Sequence, residues 1–344
     1  MSEYITYQII IEQKSGLSTP LQADTIWGHL ASYMAITGYG MFNDFLDSYR
    51  DGCPPVIFSD GLPALADVDG VIDQYVPKPF YPAPADIISR IKIENKEDRT
   101  ILKRIKKLKW INVEVLQKIM THSEYITEKE LFEFDEQYEI EDTVTMKNMV
   151  PRFGCEDTEI YSLEEVFIKP KGDREINDGY IGWVVYCKID ADRTDELIPI
   201  LERFLEAGYG KKKGIGKGQL EVKNVVRIDI NDELDIKIDN PNAFISLSSF
   251  VPAENDPVEG WYQTFVKYGK LGETAINMDL PAGAAERNPF KNPVMMFKPG
   301  AVFRLPPGGK MQDYYGVSHL PGVRYEEEYV HPALAFVVPY RIEE

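Results

Sequence analysis

The densest concentration of binding chemistry in this chain is an eleven-residue stretch with five glycines and four lysines, Gly208-Tyr209-Gly210-Lys211-Lys212-Lys213-Gly214-Ile215-Gly216-Lys217-Gly218. Glycines let the backbone take positive φ and approach a ligand closely, and exposed N–H groups beside lysines suit phosphate oxygens. Two nucleotide-binding readings fail on spacing. A GxxxxGK loop needs Ser or Thr after its lysine, but Lys217 precedes Gly218 and Lys211 stands at the first glycine position. A dinucleotide-binding GxGxxG turn leads from a strand into the helix it opens, whereas this stretch leaves a helix and enters a strand. Capture of an anion at a helix N-terminus is therefore not on offer. On these residues alone, phosphate contact and a solvated surface loop both remain open.

Other chemistries find little support. The histidines are His29, His122, His319 and His331, and none pairs with Cys or His at metal-ligand spacing. Cys53, Cys155 and Cys187 are odd in number and far apart, which speaks against a disulfide framework and a zinc site alike. No metal, cofactor or catalytic constellation is expected, and a reducing cytoplasm fits best.

The elements around the loop are legible from periodicity. Tyr4–Glu12 reads as a strand, with Ile5, Tyr7, Ile9 and Ile11 alternating. Asp24 reads as an N-cap for a helix carrying Trp27, Leu30, Ala31 and Met34 on one face. Residues 76–84 are a proline-rich extended connector. A helix is expected over 97–120, followed by an acidic, weakly periodic stretch and two strand-like runs, around 143–153 and 160–169. Tyr180–Ile189 reads as a strand, Asp195–Ala207 as a helix stopped by Gly208, and Gln219–Ile230 as a strand. The order is strand, helix, an insertion carrying a hairpin, strand, helix, strand. It predicts an α+β protein with the ferredoxin-like (RRM-like) βαββαβ arrangement. The polar stretch 231–242 marks a boundary between residues 1–235 and a second, degenerate ferredoxin-like domain over 236–344. Within the first domain lie an insertion (about 90–145), a hairpin (about 145–168) and the loop (208–218).

With 344 residues, 44% of them hydrophobic, the chain can build two cores and is not disordered. Met1-Ser2-Glu3-Tyr4 does not look like a secretory signal, and no apolar run approaches a membrane span. A net charge of −18 is unusual for a nucleic-acid binder, but the charge is segregated. Residues 99–109 carry six basic groups and no acid, and residues 124–142 carry nine acids against Lys129 alone. The first is ordinarily a solvated helix face, with RNA contact as a second reading. The second is read as a solvated insertion, with a partner-docking surface as its alternative.

A glycine-rich loop between the second helix and last strand of a ferredoxin-like unit resembles the RAMP superfamily of CRISPR proteins. Asp24-Thr25-Ile26-Trp27-Gly28-His29-Leu30 resembles the first-helix motif of its handle-binding branch, and Pro77-Lys78-Pro79 its connector. Met149-Val150-Pro151-Arg152-Phe153, followed by Ile160-Tyr161-Ser162-Leu163, resembles its β-hairpin thumb. Glu259-Gly260-Trp261-Tyr262, Lys267-Tyr268-Gly269-Lys270-Leu271-Gly272 and Asn288-Pro289-Phe290-Lys291-Asn292-Pro293-Val294-Met295-Met296 look like the fourth-subunit family of the Csm complex, the type III-A CRISPR effector. Lysines stand in the loop where this resemblance leads one to expect arginines.

The resemblance implies a non-catalytic subunit, present in single copy, that holds the 5′ handle of CRISPR RNA (crRNA). It would bridge the large polymerase-like subunit and the backbone RAMP subunit of the filament. RNA contacts would come from Gly210, Lys211, Lys212, Lys213, Gly214, Ile215, Gly216, Lys217 and Gly218, with His29, Lys78, Arg152, Lys267, Tyr268, Lys270 and Lys291 as further candidates. Trp261 and Tyr262 are better read as core. The competing reading is a RAMP-type endoribonuclease that processes CRISPR precursor RNA with His29 as general acid or base. Packing or phosphate contact is the preferred role for His29, because the superfamily's processing nucleases carry the loop near their C-terminus and here a long segment follows it. An unrelated ferredoxin-like interaction protein is the third possibility.

Overall fold

The computed structural model of the chain describes residues 3–92, 100–121, 125–149, 159–172, 176, 179–236, 238–270, 290–323 and 329–342. Strand β1 (Tyr4–Gln13) runs through the middle of a seven-stranded sheet and leads to helix α1 (Ala23–Thr37). Next come β2 (Val56–Phe58), β3 (Leu62–Ala66), β4 (Val71–Pro77) and β5 (Trp110–Asn112). A long hairpin of β6 (Tyr138–Met149) and β7 (Glu159–Pro170) forms a two-stranded sheet of its own. The chain then returns through β8 (Tyr180–Asp190), α2 (Thr194–Leu201) and β9 (Leu220–Ile228). The strand order is β9-β1-β8-β3-β4-β5, with β2 also on β8, and the pairs are antiparallel.

Burial explains β1 and β8. Tyr7 to Ile11 and Ile181 to Ile189 are buried at successive positions rather than alternate ones, because both faces of the sheet are covered. The second cover is the C-terminal half. There Tyr186 stacks on Phe336 at 5.9 Å, and the buried Lys188 ammonium donates to the Asp313 carbonyl at 2.5 Å. One hydrophobic core accordingly runs from Ile9 and Leu30 through to Ile245, Phe336 and Val338.

The C-terminal half is a five-stranded sheet of β10 (Ala243–Ser246), β11 (Gly260–Trp261), β14 (Val302–Arg304), β15 (Tyr314–Val317) and β16 (Ala333–Tyr340). Its order is β11-β14-β10-β16-β15. A separate ribbon pairs β12 (Thr264–Lys267) with β13 (Val294–Phe297).

Three expectations change. The strands following α1 are β2 to β4, not the hairpin, which stands apart from the main sheet. The helix expected over 97–120 is two short helices, Ile101–Lys107 and Val113–Thr121, separated by β5, which adds to the main sheet's edge. The basic and acidic stretches meet each other. Arg104 lies 2.6 Å from Glu128 and 3.8 Å from Glu136, with its guanidinium 3.9 Å from the Phe132 ring centre, and Lys118 pairs with Glu130 at 2.9 Å. Arg104 of the basic stretch is thus engaged within the insertion.

Candidate nucleic-acid interface

Helix α2 ends at Leu201 and the chain descends through turns to Gly208, earlier than the Ala207 end expected from periodicity. Pro199 lies inside the helix's last turn, and the left-handed Gly208 (φ 79°) follows the turns that lead out of it. The loop is closed at its neck: Tyr209 N–H donates to the Gly218 carbonyl at 2.7 Å, and Gly218 N–H donates to the Gly16 carbonyl at 2.9 Å. Gly208, Gly210, Lys212, Gly216 and Gly218 all have positive φ, and residues 213–215 form one 3₁₀ turn at the tip.

Two glycines are dictated by the fold. A Cβ on Gly218 would sit 1.9 Å from the Tyr209 carbonyl oxygen, and one on Gly210 would sit 2.6 Å from Thr19 Cβ. Around Gly214 and Gly216 there is open space, and Gly214 is not left-handed. Lys211, Lys212, Gly214, Ile215 and Gly216 are exposed.

His29 braces this loop from α1. Gly210 N–H donates to His29 Nε2 at 2.9 Å, and the imidazole packs 4.6 Å from the Tyr209 ring. An Nε2 that accepts is unprotonated, so the ring is the neutral tautomer. Burial, helped by the Lys213 charge, lowers its pKa to about 4. Tyr209 is itself buried, its hydroxyl donating to the Pro20 carbonyl at 2.7 Å, and Lys211 N–H reaches Thr19 Oγ1 at 3.2 Å.

The hairpin root meets the same place. Leu17 and Val166 exchange backbone hydrogen bonds at 2.9 and 2.8 Å. Gln13, buried at the end of β1, donates to the Val166 carbonyl at 2.8 Å and accepts from Trp183 Nε1 at 2.9 Å. Lys217 pairs with the Glu165 carboxylate at 2.7 Å. Lys217 is thereby tied to the hairpin, while Lys211 and Lys213 have no ion pair among the described residues. The hairpin tip with Arg152 lies outside the described residues.

The remaining predicted contacts divide. Lys78 is buried, with Nζ 3.4 Å from the Pro79 carbonyl. Lys267 reaches Asp24 at 2.5 Å and Thr25 Oγ1 at 2.8 Å, and Lys291 lies 2.9 Å from His331 Nδ1. Lys267 and Lys291 join distant parts of the chain, and Lys78 is buried against its own neighbour, none of which sequence spacing reveals. Tyr268 is 74% exposed, and Lys270 Nζ stands 6.0 Å from the Phe290 ring centre. Trp261 packs on Tyr81 and Arg304 rather than standing free.

Asp24 is not the N-cap of α1. The helix starts at Ala23, and the cap is remote: Asp60, in the break between β2 and β3, accepts from Ala23 N–H at 2.8 Å. Asp60 also accepts from Ser249 N–H and Oγ at 3.1 and 2.7 Å. Burial raises Asp60 to a pKa of about 6 despite these donors. Burial also opposes the charge on Asp24, yet Lys267 and His331 hold that carboxyl below its usual range. His331 itself is lowered by burial and by Lys291 to about 3. The sequence signals missed here are Ser59-Asp60-Gly61 and Ser15-Gly16, short turn tripeptide and dipeptide among many. Among the described residues no three His, Cys, Asp or Glu side chains group to hold a metal ion, and no helix is long and apolar enough to cross a membrane.

No protein-family model and no curated protein sequence matches the chain. Solved structures do. A chain of the Csm1-Csm4 cassette crystallised with cA4 is 17% identical, with a TM-score of 0.54 and 99% of each chain covered. A chain of the Csm3-Csm4 subcomplex of the type III-A CRISPR-Cas interference complex is 13% identical, with a TM-score of 0.54, covering 97% of this chain and 100% of that one. From end to end, this chain has the fold of the Csm4 subunit of type III-A CRISPR complexes.

Proposed function

We propose that this protein is a non-catalytic, cytoplasmic subunit of a type III-A CRISPR effector that holds the 5′ handle of crRNA on its Gly/Lys loop. The observation that carries the reading is the loop itself. It is pinned at its neck by Gly16, Thr19 and His29, and it presents Lys211, Lys212, Gly214 and Gly216 outward. A rigid base with an open, cationic tip suits phosphates without requiring a particular base. The same geometry speaks against the nuclease reading. His29 uses Nε2 to accept from Gly210 N–H and stays neutral down to acid pH, so near neutrality it lacks the imidazolium proton a general acid gives, and its Nε2 lone pair is engaged.

The finer architecture supports this reading. Strands β9-β1-β8-β2/β3 with α1 and α2 fit a ferredoxin-like unit spanning 1–235, and the hairpin fits a thumb. Strands β16-β10-β14-β11 repeat that order without helices among the described residues, as a degenerate second unit over 236–344 would. By analogy with the Csm1-Csm4 and Csm3-Csm4 assemblies, the chain would enter the effector in single copy between the large polymerase-like subunit and the backbone RAMP subunit.

The test is coexpression with those two subunits, followed by sequencing of the copurified RNA. Recovery of repeat-derived 5′ ends that depends on the loop lysines is expected. Assembly without RNA, or RNA retained fully after Lys211, Lys212 and Lys213 are all changed to Ala, would refute the assignment.

A further inference from the structure

The residues Gln13 to Leu17, which carry the chain out of β1, form a strip between the Gly/Lys loop and the β6–β7 hairpin. On one side the strip holds the neck of the loop. Lys14 N–H donates to the Gln219 carbonyl at 2.9 Å, Gln219 N–H to Ser15 Oγ at 2.9 Å, and Gly218 N–H to the Gly16 carbonyl. On the other side it holds the hairpin root, where Leu17 pairs with Val166. Gly16 brings the two sides close: a Cβ there would meet Glu165 Oε1 at 3.0 Å, and Glu165 is the partner of Lys217 in the loop. A strand lying on the loop therefore has the hairpin as a neighbour.

Gln13 is the side chain that fixes this arrangement. It is 6% exposed, and both ends of its amide are used. Nε2 donates to the carbonyls of Val166 at 2.8 Å and Ser15 at 3.0 Å. Oε1 accepts from Trp183 Nε1 in β8 at 2.9 Å and from Ile168 N–H in β7 at 3.5 Å. An indole nitrogen can only donate, so the amide has one workable orientation. Turned over, it would set its NH2 against the indole N–H and its oxygen against two carbonyls. The Val166 carbonyl takes two donors from the strip, Gln13 and Leu17, which fills both of its lone pairs. A buried polar network satisfied in this way is rigid. The hairpin needs such a joint. Among the described residues β6 and β7 pair with each other and with no strand of the main sheet, so no ladder fixes their angle to it.

We propose that Gln13 is a positioning residue for RNA: it sets the spacing of the hairpin from the Gly/Lys loop, so that a strand held on the loop meets the hairpin at one fixed nucleotide. The proposal rests on the RNA-holding function above and adds to it a fixed separation between two contacts.

The experiment uses the effector assembled by coexpression. Radical footprinting maps the protected nucleotides of its RNA, and spin labels at Ala207→Cys and Ser162→Cys, both exposed positions, report the distance from loop neck to hairpin. In the labelled chain Cys53 and Cys155 are changed to Ser and the buried Cys187 is kept. Wild type should give one narrow distance and a sharp protection boundary. Gln13→Met removes the donors and the acceptor at similar volume, while Gln13→Glu keeps the acceptor for Trp183. In both, the distance distribution should broaden and the boundary should spread over neighbouring nucleotides. The salt slope of RNA binding should stay at the wild-type value, because no phosphate contact is lost. Val338→Ala, a cavity in β16 away from the strip, is the destabilised control and should keep a sharp boundary.

A sharp wild-type boundary in the Gln13 variants would overturn the proposal and leave the loop assignment standing. So would an equal spread in Val338→Ala, since lost stability alone would then explain it. A spread boundary with unchanged label distances would show that Gln13 does not act by spacing. Failure of both Gln13 variants to assemble would assign the residue a purely structural role and also overturn the proposal. RNA retained in full by the triple loop-lysine variant would instead sink the function on which the proposal rests.

Discussion

Alanine placed at Gly218 and at Gly214 should have opposite effects on the fold, and only one of them should act on RNA. At Gly218 the backbone is left-handed (φ 66°) and a Cβ would overlap the Tyr209 carbonyl oxygen. The left-handed conformation costs an L-residue about 1–2 kcal/mol. Relieving the overlap must also disturb the two neck hydrogen bonds of Gly218, each worth about 0.5–1.5 kcal/mol. Together these give a loss of roughly 2–5 kcal/mol, a melting decrease of about 5–15 °C at a few degrees per kcal/mol. At Gly214 the φ is ordinary and nothing lies within 4 Å of the added carbon. There Ala should be neutral or stabilise by about 0.4–1 kcal/mol through the unfolded chain. If the 3₁₀ tip approaches phosphates, the methyl group costs one charge-assisted N–H contact of about 1.5–3 kcal/mol, a 10- to 100-fold loss of RNA affinity. The assays are thermal melting of the chain and RNA affinity of the assembled complex. A Gly214→Ala variant with unchanged RNA affinity would show that the tip does not touch RNA. A Gly218→Ala variant that melts like wild type would show that the neck does not need its glycine.

Other outcomes follow from the same geometry. Wild type and His29→Ala should both leave repeat RNA uncut with or without divalent metal, while His29→Ala lowers stability by about 1–3 kcal/mol by orphaning Gly210 N–H; cleavage that disappears in the variant would restore the nuclease. Lys211→Ala should leave melting within about 0.5 kcal/mol and lower the salt slope of RNA binding by about 0.7. Lys217→Met should do the reverse, costing about 1–3 kcal/mol by stranding Glu165 while the slope stays near wild type. Asp60 has a raised folded pKa, so its favourable contribution is full below the ordinary 3.8 and fades as pH rises through about 6. Asp60→Asn should therefore gain on wild type between pH 5 and 7 in melting experiments, by at most about 3 kcal/mol at neutral pH; a constant difference across that range would show that Asp60 titrates normally.

Periodicity located the elements that frame the loop because their apolar residues face one continuous core. It did not find β2 and β3. Their combined run is split by Ser59-Asp60-Gly61, and Pro63 argues against an interior strand, yet Pro63 sits opposite Trp183 between β8 and β4. The hairpin was legible as two strands, but strand pattern carries no information about which sheet a strand joins. Lysine contacts were the least legible. Lys78, Lys267 and Lys291 look like Lys211 in sequence, and only folding shows that they meet carbonyl, carboxylate and imidazole groups of the same chain. The glycines of the loop were found by composition, but which of them answer to the fold and which face open space depends on Thr19 and Tyr209.

Helix α1 behaves as a beam held at two points. At its first turn Asp24 and Asp60 are satisfied from beyond residue 236 by Lys267, His331 and Ser249, and about one turn on His29 grips the loop. Moving the C-terminal half against this beam means unpairing a buried carboxylate, at about 3–5 kcal/mol, or carrying the loop along. Any load on the C-terminal half would thus be passed by this joint to a loop some distance along α1. The same joint constrains chimeras: a C-terminal half exchanged between relatives must bring its own partners for both carboxylates, or the loop it is meant to serve will lose its aim.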